Sequence, residues 1–177
     1  MAVSTWNLDK AHSEVQFSVR HMMISRVKGE FKEFSAEIQA DPEDLTTANI
    51  QFTIDVSSVD TGNEDRDNHL RTEDFFDVEK YPNLTFKSAS VEKQGDQYAI
   101  TGDVTMHGVT KTETFTVTSG GVMKDPMSGA EKAGFSVEGT LKRSDYGLTW
   151  NAPLETGGVL VSDEVKINME IQASKAE

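Results

Sequence analysis

Four histidines, His12, His21, His69 and His107, are the side chains of this sequence best suited to metal ligation or proton transfer. All four fall at expected strand ends or in a short helical insertion, so two or three of them could converge. A metal site needs that convergence and a supporting shell, yet the spacing offers neither HExxH nor a helical i,i+4 pair. The expectation is no metal, with the rings hydrogen-bonded to backbone at strand ends. Asp60, Asp67, Asp74 and Asp145 supply carboxylates for an acid–base pair, and Ser13 beside His12 invites comparison with a nucleophile and its base. Neighbours on a strand point to opposite faces, which separates Ser13 from His12, and no G-x-S-x-G elbow occurs. Arg66 and Asp67 are expected to cap a helix or pair at the surface. Arg143 and Asp145 are expected to tie a lid to a rim as a partly buried ion pair. No residue is assigned a catalytic role.

The elements that must position these groups are mostly strands. Val15, Phe17 and Val19 alternate with polar residues, as do Ile50, Phe52, Ile54 and Val56, the mark of half-buried strands. Further alternation runs through Leu84 and Phe86, through Tyr98 to Met106, through Phe115 and Val117, through Phe135 to Leu141, and through Val165 to Ala173. Val27, Gly29 and Phe31 share one parity, whereas Phe34, Ala36, Ile38 and Ala40 share the other. A change of parity flips the buried face unless a residue is inserted, which predicts a β-bulge near Lys32-Glu33. Asp41-Pro42-Glu43-Asp44 predicts a turn, and His107 to Lys111 a hairpin connection. About eight strands result, and closure into an all-β, antiparallel, lipocalin-like barrel removes the edges that an open sheet would expose. A two-sheet sandwich is the alternative.

The stretch from Thr61 to Pro82 interrupts the pattern. Thr61 or Asn63 can cap a helix whose first turn holds Glu64, Asp65 and Asp67, matching the positive end of its dipole. Thr72 offers a second start, limited by Pro82. Leu70, Phe75, Phe76 and Tyr81 would form the apolar underside of this cap.

Composition narrows the function classes. The chain has 177 residues, which fits one domain spanning 1–177. Its net charge of −13 argues against nucleic acid, which requires clustered Lys and Arg, and against docking on anionic lipid. No cysteine is present, so disulfides, thiolate nucleophiles and zinc–thiolate sites are excluded. No apolar run reaches the ~20 residues that span a bilayer. The N-terminus shows no basic and apolar leader, which reads as cytoplasmic; a chain starting at a mature N-terminus would read the same and be periplasmic or extracytoplasmic. Two-fold self-association, a homodimer, is the expectation from symmetry base rates.

In order along the chain stand Ala11-His12-Ser13, His21, Gly29-x-Phe31-x-x-Phe34, Val59-Asp60-Thr61, Asp67-x-His69-Leu70, Asp74-Phe75-Phe76 and Tyr81-Pro82 before Phe86. Gly102 to Lys111, Gly134-Phe135 and Arg143-Ser144-Asp145-Tyr146-Gly147-Leu148 follow. This ordered set resembles the YceI-like family, also described as polyisoprenoid-binding or lipid-binding proteins, over essentially the whole domain. The resemblance implies an extended lipocalin-like barrel, capped on one side by the helical insertion and enclosing an elongated apolar tunnel. It implies a non-enzymatic carrier or store of a polyisoprenoid, an isoprenoid quinone or a similar long-chain amphiphile, with no cofactor besides that ligand. Many members are exported, and the absence of a leader here is a departure.

The expected tunnel wall is Val15, Phe17, Val19, Phe52, Ile54, Val56, Phe86, Ile100, Val104, Phe135, Val137, Leu141, Val165, Ile167 and Met169. Eight strands is the size at which side chains either fill a barrel or leave room for one ligand; the resemblance favours the cavity. Gly102 and Gly139, without side chains in mid-strand, fit a wall that leaves space, and bends in the strands explain them equally well. The expected lid or rim is Met22, Met23, His69, Leu70, Phe75, Phe76 and Trp150, with Met22-Met23-Ile24 and Trp150 as an adaptable apolar gate. At about 0.8 kcal/mol per buried methylene, ~15 ligand carbons offset the costs of association without an ionic contact. Two alternatives stand beside this reading: an enzyme acting on an amphiphile inside the barrel, and a structural or stress-related β domain with a solid core.

Overall fold

Period-two alternation, interrupted at three levels, produces a kinked barrel. The structure, a computed structural model, describes residues 3–22, 24–151 and 161–176. Its strands are β1 (Ser4–Leu8), β2 (Glu14–His21), β3 (Ser25–Phe31), β4 (Phe34–Asp41), β5 (Asp44–Asp55), β6 (Val59–Asp60), β7 (Asn83–Gln94), β8 (Gln97–Met106), β9 (Val109–Lys124), β10 (Glu131–Lys142) and β11 (Glu164–Lys175), with one α-helix, α1 (Glu64–Leu70), among the described residues. Strands β1, β4, β5, β7, β8, β9, β10 and β11 pair antiparallel in that order, and β11 pairs back onto β1 to close an eight-stranded barrel. β2, β3 and β6 extend the wall beyond the ring, β2 lying between β11 and β3.

Kinks account for the extra segments. A 3-10 turn at Lys10–His12 parts β1 from β2, Lys32 and Glu33 part β3 from β4, and a 3-10 turn at Val56–Ser58 parts β5 from β6. The break at Lys32-Glu33 falls where the hydrophobic parity changes. Phe31 and Phe34 both belong inside, and an unbroken strand would send them to opposite faces. With the break, Phe31 packs on Phe17 at 5.2 Å between ring centroids and Phe34 stacks on Phe52 at 5.8 Å. The backbone groups released by the kink find partners next door. Lys32 N–H donates to the Ser58 carbonyl (3.3 Å), Glu33 N–H to Ser58 Oγ (3.0 Å), and Asp55 N–H to the Glu33 carbonyl (2.9 Å).

Val56 corrects one expectation. The alternation of β5 reads through it in sequence, but the backbone has already turned, and its N–H donates to the Pro82 carbonyl at 3.0 Å. It is buried against the middle of the barrel with Val59 and lines neither chamber described below.

The floor of the barrel, at the β1 end, is packed by Trp6, Ile38, Leu45, Tyr98 and Val117. Trp6 Nε1 donates to the Ala40 carbonyl at 3.1 Å, satisfying the one polar atom of the ring. At the opposite end α1 covers the opening. Asn63, not Thr61, is its cap, accepting from Arg66 N–H at 3.1 Å. Thr61 serves the buried Asp67 instead: its N–H and Oγ1 donate to that carboxylate at 2.9 and 2.5 Å. Thr72 starts no helix, since residues 72–80 run through turns in which the Phe75 and Asp77 amides both return to its carbonyl. Arg71 pins this cap to the kinked wall, donating to the carbonyls of Ser57 (2.9 Å) and Val59 (3.1 Å).

Candidate functional site

Inside the barrel lies a deep chamber of about 150 Å³. Its wall is built from inward residues of β2 to β5 and β7 to β11, including Phe31, Ile100, Val117 and Ile171, and contributes no polar surface; Gln16 and Tyr98 present only apolar atoms. Phe86, Phe115, Phe135 and Val137 point inward yet remain only half-buried, because they face the void and not another side chain. Glycines let the rings sit against the wall. A Cβ at Gly29 would stand 2.4 Å from Phe17 Cζ, and one at Gly139 would stand 2.2 Å from Phe115 Cδ1. At Gly102 a Cβ would stand 2.3 Å from the Lys87 carbonyl oxygen and 2.7 Å from Phe86 Cζ, so there a close backbone approach as well as a ring requires glycine, and neither Gly102 nor Gly139 is a bare patch. An apolar cavity of ~150 Å³ stays dry and takes a benzene-sized guest.

Above it lies a second chamber of about 480 Å³, within the ~300–1,000 Å³ range of small-molecule sites. Val19, His21 and Val27 from the β2–β3 hairpin form one wall, Val161 and Val165 another, and Asn63, Asp65, Arg66, His69, Leu70, Phe75 and Phe76 the cap. Phe17, Phe31, Leu84, Leu141 and Ile167 belong to both chambers and form the waist between them. Phe31 also meets Phe76 of the cap edge-on at 5.9 Å, so one ring touches wall and lid together.

The polar groups of the upper chamber are mostly committed to holding it together. Arg66 Nε donates to Thr61 Oγ1 (2.7 Å) and Nη2 to the Thr61 carbonyl (2.9 Å). His69 Nε2 meets Asp74 Oδ2 at 2.9 Å, and its ring packs edge-on against Phe75 and Trp150 at 5.1 and 5.0 Å. Arg143 is buried and donates to the carbonyls of Leu148 (2.7 Å), Trp150 (2.9 Å), Ser162 (2.9 Å) and Val161 (3.3 Å). The expected ion pair with Asp145 is thus replaced by a clamp on two chain segments. Four converging carbonyls, of which that of Val161 also accepts from Asn151 Nδ2 at 2.7 Å, outcompete an exposed carboxylate. Burial lowers the pKa of the guanidinium, while the charge of Asp163 works against that shift.

Beside the waist, Tyr146 is fully buried, and its hydroxyl faces Glu113 without reaching hydrogen-bond geometry with any described residue. Burial first, and then the Glu113 charge, raises the phenol above its ordinary range. Burial likewise raises the Glu113 carboxyl; the Tyr146 hydroxyl opposes this and Asp145 adds to it.

The histidines do not converge. His12 pairs with Asp9 (2.8 Å), His107 Nδ1 meets the Tyr146 carbonyl (2.9 Å), and only His21 and His69 share the upper chamber. No group of three or more His, Asp or Glu among the described residues is placed to hold a metal ion. Ser13 Oγ donates to the Asp9 carbonyl (2.7 Å) and accepts from Gln172 N–H (3.0 Å), joining strands.

Every expected wall residue except Val56 lines one or both chambers, and His69, Leu70, Phe75, Phe76 and Trp150 line the upper one. Met22 does not. It sits at the hairpin tip with φ of 55° and 44% exposed, turned away from the bore by the left-handed backbone of the turn. Met23 lies outside the described residues. Sequence reasoning passed over Phe31, Phe115, Val117 and Ile171 as wall residues, although each shares parity with inward neighbours on its strand. It also passed over His21, Thr61, Arg66 and Arg143 as upper-chamber residues, for which only the fold supplies the signal.

Comparison with known proteins agrees with this geometry. The chain matches the YceI-like domain over residues 6–173. It is 44% identical over 172 residues to a UPF0312 protein of Staphylococcus epidermidis, covering 97% of this chain and 98% of the other. The Campylobacter jejuni YceI protein superposes with a TM-score of 0.77 at 40% identity, covering 96% of each chain. A polyisoprenoid-binding domain from Saccharophagus degradans superposes with a TM-score of 0.65 over 98% of this chain and 99% of that one; at 16% identity this is a likeness of fold. A barrel closed by β11 on β1, a kinked edge and a match spanning nearly all of the sequence give one answer: this chain belongs to the YceI-like family.

Proposed function

We propose that this protein binds, stores or carries a polyisoprenoid, an isoprenoid quinone or a similar long-chain amphiphile, and performs no chemistry on it. The carrying observation is the pair of chambers in series, the inner one without polar surface and the outer one rimmed by His21, Asn63, Arg66 and His69. A polar head forced into the inner chamber would lose its water with no hydrogen bond in return, at ~2–7 kcal/mol. The tail therefore goes in first and the head stays under the cap. The polyisoprenoid-binding description of the Saccharophagus degradans domain supports the ligand class.

A reaction chamber would require polar groups free to meet a substrate. Arg66, His69 and Arg143 are instead engaged with Thr61, Asp74 and backbone carbonyls, which favours passive binding. Native mass spectrometry of untreated protein, followed by organic extraction, tests the proposal. A lipid recovered in near-stoichiometric amount is the expected result. Protein that is recovered empty and ignores added prenyl chains and fatty amphiphiles would remove it.

A further inference from the structure

The β2–β3 hairpin has a division of surface that ligand holding alone does not use. We propose that its tip and outer face form a docking surface for an anionic lipid bilayer, placing the upper chamber against the membrane from which a tail is taken or to which it is returned. The inference rests on the carrier reading for its purpose but not for its test.

Period-two geometry separates the hairpin's two faces. Val19 pairs with Val27 and His21 with Ser25, and the side chains of Val19, His21 and Val27 line the upper chamber. On the opposite face Arg20 pairs with Arg26, and Ser18 sits between Lys28 on β3 and Lys166 on β11. All four cations are exposed, and none has an ion-pair partner among the described residues. Two arginines directly opposite each other on a sheet repel, an arrangement that an external anionic surface relieves. The tip between them is apolar: Ile24 is 82% exposed and Met22 44%.

Charge distribution strengthens the case. From Val15 to Gly29 the sequence carries three cations and no carboxylate, in a chain with 30 Asp and Glu against 17 Lys and Arg. The acids of this face are Glu14, paired with Glu170, and Glu30, paired with Gln16, at the hairpin base, and Glu164 on β11, so from that base to the tip the outer face of the hairpin itself carries only positive charge. The cap bears Glu64, Asp65, Glu73 and Asp74, which orients docking onto the hairpin and away from the helix. Whole-chain charge argued against anionic lipid; its placement argues for it. Basic residues hold the protein near an anionic leaflet, and an apolar tip inserts between head groups.

Flotation of the intact protein with phosphatidylcholine vesicles, and with vesicles enriched in phosphatidylglycerol, tests this directly. Binding to the enriched vesicles only, weakened by salt, is expected. At about 1 kcal/mol per surface cation, R20S/R26S should lower partitioning about 30-fold. I24S should weaken it further at unchanged melting temperature. Equal binding to both vesicle types, or full binding by R20S/R26S, overturns the proposal. Capture by immobilised polyglutamate with no vesicle binding also overturns it, in favour of an acidic protein partner. The two readings fail separately. Vesicle binding by a protein that never loads a prenyl chain leaves docking standing and removes the carrier, whereas chain loading from detergent without vesicle binding does the reverse.

Discussion

Filling the deep chamber with protein should abolish what a ligand tail does for stability. At about 24 cal/mol per Å³ of void, the chamber's 150 Å³ corresponds to roughly 3.6 kcal/mol of packing that a tail can restore. A domain of this size gains about 2–4 °C per kcal/mol, so loading with a prenyl chain should raise the melting temperature by about 7–14 °C. Val137→Phe projects a ring into the same space from the middle of β10, where Val137 is half-buried against the void. In a solid core such an insertion costs about 1–3 kcal/mol; in a hollow one it occupies room already present. The assay is thermal unfolding of wild type and variant, each with and without a saturating prenyl alcohol. The ligand-free variant should melt at or above wild type and show little ligand-induced shift. A variant that melts several degrees lower and keeps the full shift would refute the reasoning, because the ring would have met packed side chains and the tail would bind elsewhere.

Phe31→Ala removes the ring shared by wall, waist and cap; denaturant titration should show a loss of about 3–5 kcal/mol, and displacement assays a gain in relative affinity for bulkier chains. Arg143→Met leaves the carbonyls of Leu148, Trp150 and Ser162 without the Arg143 donor, while that of Val161 keeps Asn151 Nδ2. At about 1–3 kcal/mol for a buried unpaired group, hydrogen exchange should accelerate around residues 148–151 and 161–163 before the barrel strands respond. The raised pKa of Glu113 means that the folded state holds its proton more tightly than the unfolded chain does. Its contribution to stability is present below the ordinary value of 4.5 and lost as pH rises through the folded-state pKa. Glu113→Gln should accordingly be the more stable protein at neutral pH and lose that advantage in acid, as read from melting curves across pH. A homologous series of alkyl alcohols should gain about 0.8 kcal/mol per methylene until the tail reaches the floor at Trp6 and Tyr98, then level off; uninterrupted gain would indicate binding on the outside.

The barrel and most of its wall were legible because they depend on parity, which a sequence displays directly. Phe31 and Phe34 even located the kink, since two inward rings at odd spacing demand one. Val56 was misread for a related reason: alternation continues in sequence after the backbone has begun its 3-10 turn, and nothing local marks that Pro82 will take the Val56 N–H. The Arg143–Asp145 pair was inferred from proximity in sequence, whereas the outcome was decided by carbonyls brought from residues 148 and 161–162 by the fold. The polar part of the upper chamber was hidden because His21, Thr61, Asn63, Asp65, Arg66 and Arg143 come from separate segments and share no period. Whether a barrel is hollow is also not a local property. The same valines and phenylalanines fill or line a bore according to strand tilt and to where a ring finds a glycine to lie on, as Phe17 does on Gly29.

A hollow barrel forgoes part of the dispersion energy that a packed one gains, so its shape must be secured elsewhere. Here the securing groups are at the rim. Asp67 is held by Thr61, Arg71 grips the β5–β6 kink, and Arg143 gathers two chain segments onto the end of β10. Of these, Thr61, Asp67 and Arg143 belong to segments that carry the family resemblance: Asp60-Thr61, Asp67-x-His69-Leu70 and Arg143 to Leu148. The bore, by contrast, asks only for apolar volume, and valine, isoleucine, leucine or phenylalanine supply it almost interchangeably. In this chain Asp67 is met by Thr61, Arg143 by backbone carbonyls and His69 by Asp74. Much of the polar motif is therefore the frame that holds the two chambers open.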